Sequence, residues 1–105
     1  MRRELHFTSE AQSSLKALET TPSKAGVLKQ VRKVLGYLET NPRHPSLNTH
    51  QYDSLSGPNG EEVFEAYAQN DSPGAYRVFF MYRPDRKEGK KRVPGLMIIA
   101  ITPHP

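Results

Sequence analysis

The 105-residue chain contains no cysteine and no tryptophan. Without thiols it has no disulfides and no thiolate metal sites, which fits a reducing cytoplasm. No window approaches the run of about 20 apolar residues that a membrane-spanning helix requires. The start, MRRELHFTSE, has basic residues but no apolar core, so a secretory leader is not expected. Histidine, aspartate and glutamate do not recur at metal-ligand spacing, and neither a metal nor another cofactor is expected.

The residues that are present describe a polar, basic globular protein. Hydrophobic residues make up 35% and charged residues 25%, too apolar for a disordered tail. Net charge is +4. Two clusters carry the excess. KQVRK holds Lys29, Arg32 and Lys33, and RPDRKEGKKR holds Arg83, Arg86, Lys87, Lys90, Lys91 and Arg92. Such clusters suit a polyanion, whether RNA, DNA or an acidic partner protein. A solvated surface loop is the plainer explanation of any one charge run.

Hydrophobic periodicity divides the chain near residue 48. ELHFT reads as a short strand, and Ser9 with Gln12 has the spacing of a capping box. Ala11, Leu15 and Leu18 then form the stripe of a short helix that stops at TTPS. A second helix is predicted from about Ser23, with Val27, Leu28, Val31, Val34, Leu35 and Leu38 on one side. Pro42 forbids its continuation. Beyond it, HQYDSL, EVFEAYAQN, AYRVFFMYR and GLMIIAITP read as strands separated by SGPNG, DSPG and the basic loop. Short connections predict antiparallel pairing. The expected fold is α+β: an N-terminal strand and an αα-hairpin on one face of a mainly antiparallel four- to five-stranded sheet, one domain over residues 1–105.

Arg77 stands inside a strand otherwise suited to burial. Alternation turns Tyr76, Val78, Phe80 and Tyr82 toward the helices and leaves Arg77, Phe79, Met81 and Arg83 on a face expected to be partly open. By the same parity Phe64, Ala66 and Ala68 face the helices, and Glu65 and Tyr67 the open side. In the last strand Ile99 and Ile101 are expected toward the helices, with Ile98, Ala100, Thr102 and His104 opposite. One β-bulge would invert such an assignment. Arg77, Glu65, Tyr67 and His104 thus share a face. An arginine there must be hydrated, paired with Glu65 or reserved for an anion.

The stretches NPRHPSLNTHQYDSLSG, EVFEAYAQN, AYRVFFMY and IIAITPHP, in this order, resemble the RelE/ParE superfamily of toxins from bacterial type II toxin–antitoxin systems. The resemblance runs from about Leu5 to His104. It rests on order and spacing, since no single motif is diagnostic. It implies a cytoplasmic toxin held inactive by a cognate antitoxin. RelE-like members are ribosome-dependent endoribonucleases that cleave mRNA through attack of a 2′-hydroxyl on the adjacent phosphate. ParE-like members instead inhibit DNA gyrase, and a non-catalytic inhibitor or binding module of the same fold, either gyrase-directed or an inactive relative, stays open as the alternative.

On the RelE-like branch, the resemblance makes Arg77 the group that stabilises the phosphorane and His104 the proton-transfer group. These types suit the chemistry. A fixed guanidinium stabilises transition-state charge, and imidazole titrates near neutrality. Tyr67 or Tyr82 is expected to stack on a base or position the phosphate, and Glu65 to act as a base or hold Arg77. The basic residues of both clusters are expected to bind RNA phosphates. The implied partners are the antitoxin, the ribosome and mRNA, with no membrane. The loop RPDRKEGKKRVPG is longer and more basic than the tight turn the resemblance implies.

Overall fold

The computed structural model describes residues 2–69 and 74–103. The chain runs β1 (Glu4–Phe7), α1 (Ser9–Glu19), α2 (Ala25–Thr40), β2 (His50–Ser56), β3 (Glu62–Tyr67), β4 (Tyr76–Glu88) and β5 (Lys91–Pro103). Short 3-10 turns at Pro22–Lys24 and Pro45–Leu47 follow the two helices. The strands form one sheet in the order β1-β5-β4-β3-β2. The fold is α+β. The sheet is mixed, because β1 runs parallel to β5 while the other neighbours are antiparallel. That parallel pair follows from the helix hairpin, which carries the chain across the sheet before it returns.

The helix stripes and one sheet face form the main core. Val31, Val34 and Leu38 of α2 and Ala11 and Leu18 of α1 are buried with Ala66, Val78, Phe80, Leu96, Ile98 and Ile101. Leu15, Val27, Leu28 and Leu35 complete it from partly buried positions. The helical period therefore places its apolar residues where burial stabilises most, each fully buried side chain contributing about 1.5–3 kcal/mol.

Four expectations need correction. The N-cap of α1 is Thr8 rather than Ser9: its Oγ1 accepts from the Ala11 N–H at 3.1 Å and donates to the Ile99 carbonyl at 2.7 Å. Both residues have the capping hydroxyl, and the tertiary contact to Ile99 favours Thr8. In β5, Phe79 pairs with Ala100 but Phe80 with Ile98, so Ile99 is the extra residue of a bulge. Ile98, expected opposite, is therefore in the helix-side core, and Ile99 is not.

The third correction concerns the basic loop, most of which is strand. The β4–β5 hairpin continues to Glu88↔Lys91, across a two-residue turn whose Gly89 has φ of 61°. Glycine at the first central position, with positive φ, is what a type II′ hairpin turn demands. Pro84 and Pro94, which have no N–H to donate, fall within the irregular register between Arg83 and Arg86. Beyond Arg83 and Gly95 the hairpin has no third strand paired beside it among the described residues, so it extends as an arm. Lastly, the second sheet face is not open: Val63, Glu65, Arg77, Phe79 and Met81 are all buried.

Candidate functional site

Two rows of side chains cross the second sheet face. Directly opposed residues of antiparallel strands share a face, so one row is Thr102, Arg77 and Tyr67 and the next is Ala100, Phe79, Glu65 and His50. The alternation of β3 and β4 thus brings Arg77, Glu65 and Tyr67 together, as the strand parity implies. His104 lies outside the described residues.

Arg77 is 1% exposed and Glu65 0% exposed. The Arg77 guanidinium is held on three sides. Its Nη1 donates to the carbonyls of Ala75 at 3.1 Å and Tyr76 at 3.3 Å. Its Cζ lies 3.9 Å from the centroid of the Tyr67 ring, a close cation–π contact. Its Nε lies 3.8 Å from Oε2 of Glu65, an ion pair longer than a direct hydrogen bond. The expectation of a guanidinium in an open face is thus replaced by one fixed inside the sheet.

The other carboxylate oxygen reaches outward. Oε1 of Glu65 is 2.7 Å from Nε2 of His50, whose side chain is 47% exposed. The His50 ring also meets Tyr67 edge-on, with centroids 5.6 Å apart, and its Nδ1 is 3.3 Å from the Asn48 carbonyl. A half-exposed imidazole oriented by a buried carboxylate is a group able to move a proton at the surface of this cluster.

Residue order alone carries no signal of this contact. The register explains why. Ser56 pairs with Glu62, but an irregularity in β2 shifts the register so that His50 faces Glu65. Without that shift His50 would lie opposite Ala68, past the end of β3. His44 does serve the backbone: its Nδ1 accepts from the Ser46 N–H at 3.2 Å, and its ring stacks on Tyr37.

The basic residues separate into two groups at different ends of the molecule. Arg83, Arg86, Lys87, Lys90, Lys91 and Arg92 are exposed on the arm. Lys29, Arg32 and Lys33 line a groove of α2 with Gln69, whose side chain accepts from the Tyr76 N–H at the opposite end of β4. Arg32 is moreover paired with Glu19 at 3.0 Å. The two groups do not form one patch.

Arg86 is itself engaged. It donates to both oxygens of Glu4, at 3.2 and 2.9 Å, and to Glu88 at 3.1 Å. The hydrogen bonds from Arg86 hold the Glu4 carboxyl below its usual pKa, and those to Glu4 and then Glu88 raise that of Arg86. This clamp ties the base of the arm to β1.

No helix among the described residues is long and apolar enough to cross a membrane. Among them, too, no cluster of three His, Asp or Glu side chains is placed to hold a metal ion. No protein-family model, curated protein or solved structure matches the chain.

Proposed function

We propose that the protein is a RelE-like toxin of a type II toxin–antitoxin system, a metal-independent endoribonuclease acting on ribosome-bound mRNA. The observation that carries this reading is the convergence of Arg77, Glu65 and Tyr67 with the half-exposed His50 at their edge. In this reading the fixed guanidinium supplies positive charge near a phosphorane, and the His50–Glu65 pair adds a second proton-transfer candidate to His104. The order strand, helix pair, strands, and the motif-bearing strands side by side, also support it. A cognate antitoxin and a cytoplasmic location belong to the same proposal.

The depth of Arg77 favours a second reading, a non-catalytic inhibitor of the same superfamily directed at DNA gyrase or another partner. A guanidinium with 1% exposure contacts a phosphate only after the cluster opens. Inducing the chain in bacteria and mapping mRNA 5′ ends separates the two. New ends at ribosome-protected codons support the endonuclease. Growth arrest without new ends, accompanied by loss of gyrase supercoiling, supports the inhibitor.

A further inference from the structure

On the helix side of the sheet, past the end of α2, runs a surface that meets the Arg77 cluster only at His50. It begins on the arm. Lys87 pairs directly with Arg92, and like charges placed opposite each other destabilise a hairpin. The extra residue of the irregular stretch lies in β4, so β5 alternates regularly and Arg92 projects on the face of Pro94 and Leu96. That is also the face of Tyr82, the partner of Leu96. Neither Lys87 nor Arg92 has a carboxylate within ion-pair distance among the described residues, in contrast to Arg86 on the other face.

Toward the body of the protein the next feature is an aromatic ring. Tyr82 is 39% exposed, although its neighbours Phe64 and Phe80 are packed into the core. The guanidinium of Arg3 lies over it, with Cζ 5.6 Å from the ring centroid. Beyond Tyr82 opens a cavity of about 580 Å³, lined by Tyr82, Phe64, Arg43, His50, Asn48 and Gln51 among others. Its volume is that of a small-molecule site. Arg43 has no carboxylate partner among the described residues.

We propose that this succession of unneutralised cations, exposed aromatic and polar cavity binds single-stranded RNA. Lys87 and Arg92 hold backbone phosphates, Tyr82 stacks against one base, and the cavity takes the next. There Asn48 and Gln51 offer donors and acceptors to a base edge, and Arg43 neutralises its phosphate. A single strand is the ligand because it presents free base faces, which a duplex hides. His50 borders both this cavity and Glu65, so a strand leaving the cavity passes round the β2 edge toward the Arg77 cluster. The choice of RNA over DNA rests on the function proposed above.

The test is fluorescence anisotropy with the full chain and a labelled single-stranded RNA of about 12 nucleotides, beside the same sequence as a duplex and as DNA. Tyr82→Leu keeps an apolar side chain against Phe64 while removing the aromatic face, and it should weaken single-strand binding about fivefold or more. Arg43→Ala and Lys87→Ala should each weaken it too, and Lys16→Ala, on exposed α1, should not. Equal affinity for duplex and single strand, or full affinity in Tyr82→Leu, overturns the site and leaves only charge attraction. Preference for DNA over RNA overturns the assigned ligand. Tyr82-dependent RNA binding without ribosome-dependent cleavage would sink the endonuclease reading but keep the site. Cleavage that persists in a Tyr82→Leu/Arg43→Ala variant with unchanged binding would do the reverse.

Discussion

Nε2 of His50 stands 2.7 Å from Oε1 of Glu65, so a side chain at the exposed sheet edge touches a carboxylate with no accessible surface. The other oxygen of that carboxylate is the one beside Arg77, and the Arg77 guanidinium in turn lies over the Tyr67 ring. Four residues from three adjacent strands therefore form one electrostatic chain from solvent to interior. Burying one carboxylate and one guanidinium costs several kcal/mol per ion unless they are paired and hydrogen-bonded. The chain is thus a structural commitment of the fold as well as a candidate for chemistry.

Arg77→Ala should consequently destabilise the protein, by about 3 kcal/mol, because it leaves Glu65 buried without its guanidinium. An arginine in an open face would have tolerated the same truncation. Arg77→Lys should recover only part of the loss, since an ammonium cannot reproduce both carbonyl contacts and the cation–π contact with Tyr67 in one geometry. Urea unfolding of the three proteins measures this. Coincident midpoints for wild type and Arg77→Ala would show that the pair contributes nothing to stability.

Leu38→Ala should cost about 2–5 kcal/mol, the range for emptying a buried leucine site. Leu38 is fully buried near the end of α2. The same unfolding experiment checks it, and a loss below about 1 kcal/mol would mean that the neighbouring side chains collapse into the space.

Whatever depends on unbroken periodicity was legible from residue order. Val31, Val34 and Leu38 follow the helical repeat, and Glu65, Tyr67 and Arg77 follow strand alternation into one cluster. Two of the failures sit where extra residues interrupt a strand. The bulge at Ile99 exchanges the faces of Ile98 and Ile99, and the irregularity in β2 hides the approach of His50 to Glu65. Pro84 and Pro94 made the arm read as loop, because proline signals a break unless both fall at one irregular point of a hairpin. The burial of the second sheet face had no local signal, since it depends on tertiary contacts such as that of Tyr52 against Phe79.

The Glu4–Arg86 clamp should make the arm sensitive to acid. Hydrogen bonds from Arg86 depress the Glu4 pKa in the folded protein, so the ionised carboxylate is favoured by folding. Its contribution is fully present above the unfolded-state pKa and is lost as pH falls through the lower folded value. Below the ordinary carboxylate range the arm should therefore loosen. Amide hydrogen exchange in residues 83–95, corrected for the intrinsic pH dependence, should show protection falling on acidification in the wild type. Glu4→Gln should show the weaker protection already at neutral pH. An acid response unchanged in Glu4→Gln would assign it to other carboxylates.

Thr8 links the start of α1 to the bulge of β5 through a single hydroxyl. Oγ1 accepts from the Ala11 N–H and donates to the carbonyl of Ile99. The Thr8 N–H also donates to the carbonyl of Ile98, at 3.1 Å. Thr8→Val keeps the side-chain shape while removing both hydroxyl bonds, so it strands one helix N–H and one bulge carbonyl. Loss of an N-cap alone costs about 1 kcal/mol, and an unsatisfied partly buried carbonyl adds about 1 kcal/mol more. Thr8→Ser retains both bonds and should stay within about 0.5 kcal/mol of wild type, since the two residues cap almost equally well. The bulge sets which isoleucine enters the core, so loosening of Ile99 should also reach Ile98 and, through it, Phe80. Methyl chemical shifts of Ile98 and Ile101 in Thr8→Val should thus move well beyond those of Val34, which sits on the far helix. Equal stability of Thr8→Val and Thr8→Ser would show that neither bond holds the bulge in place.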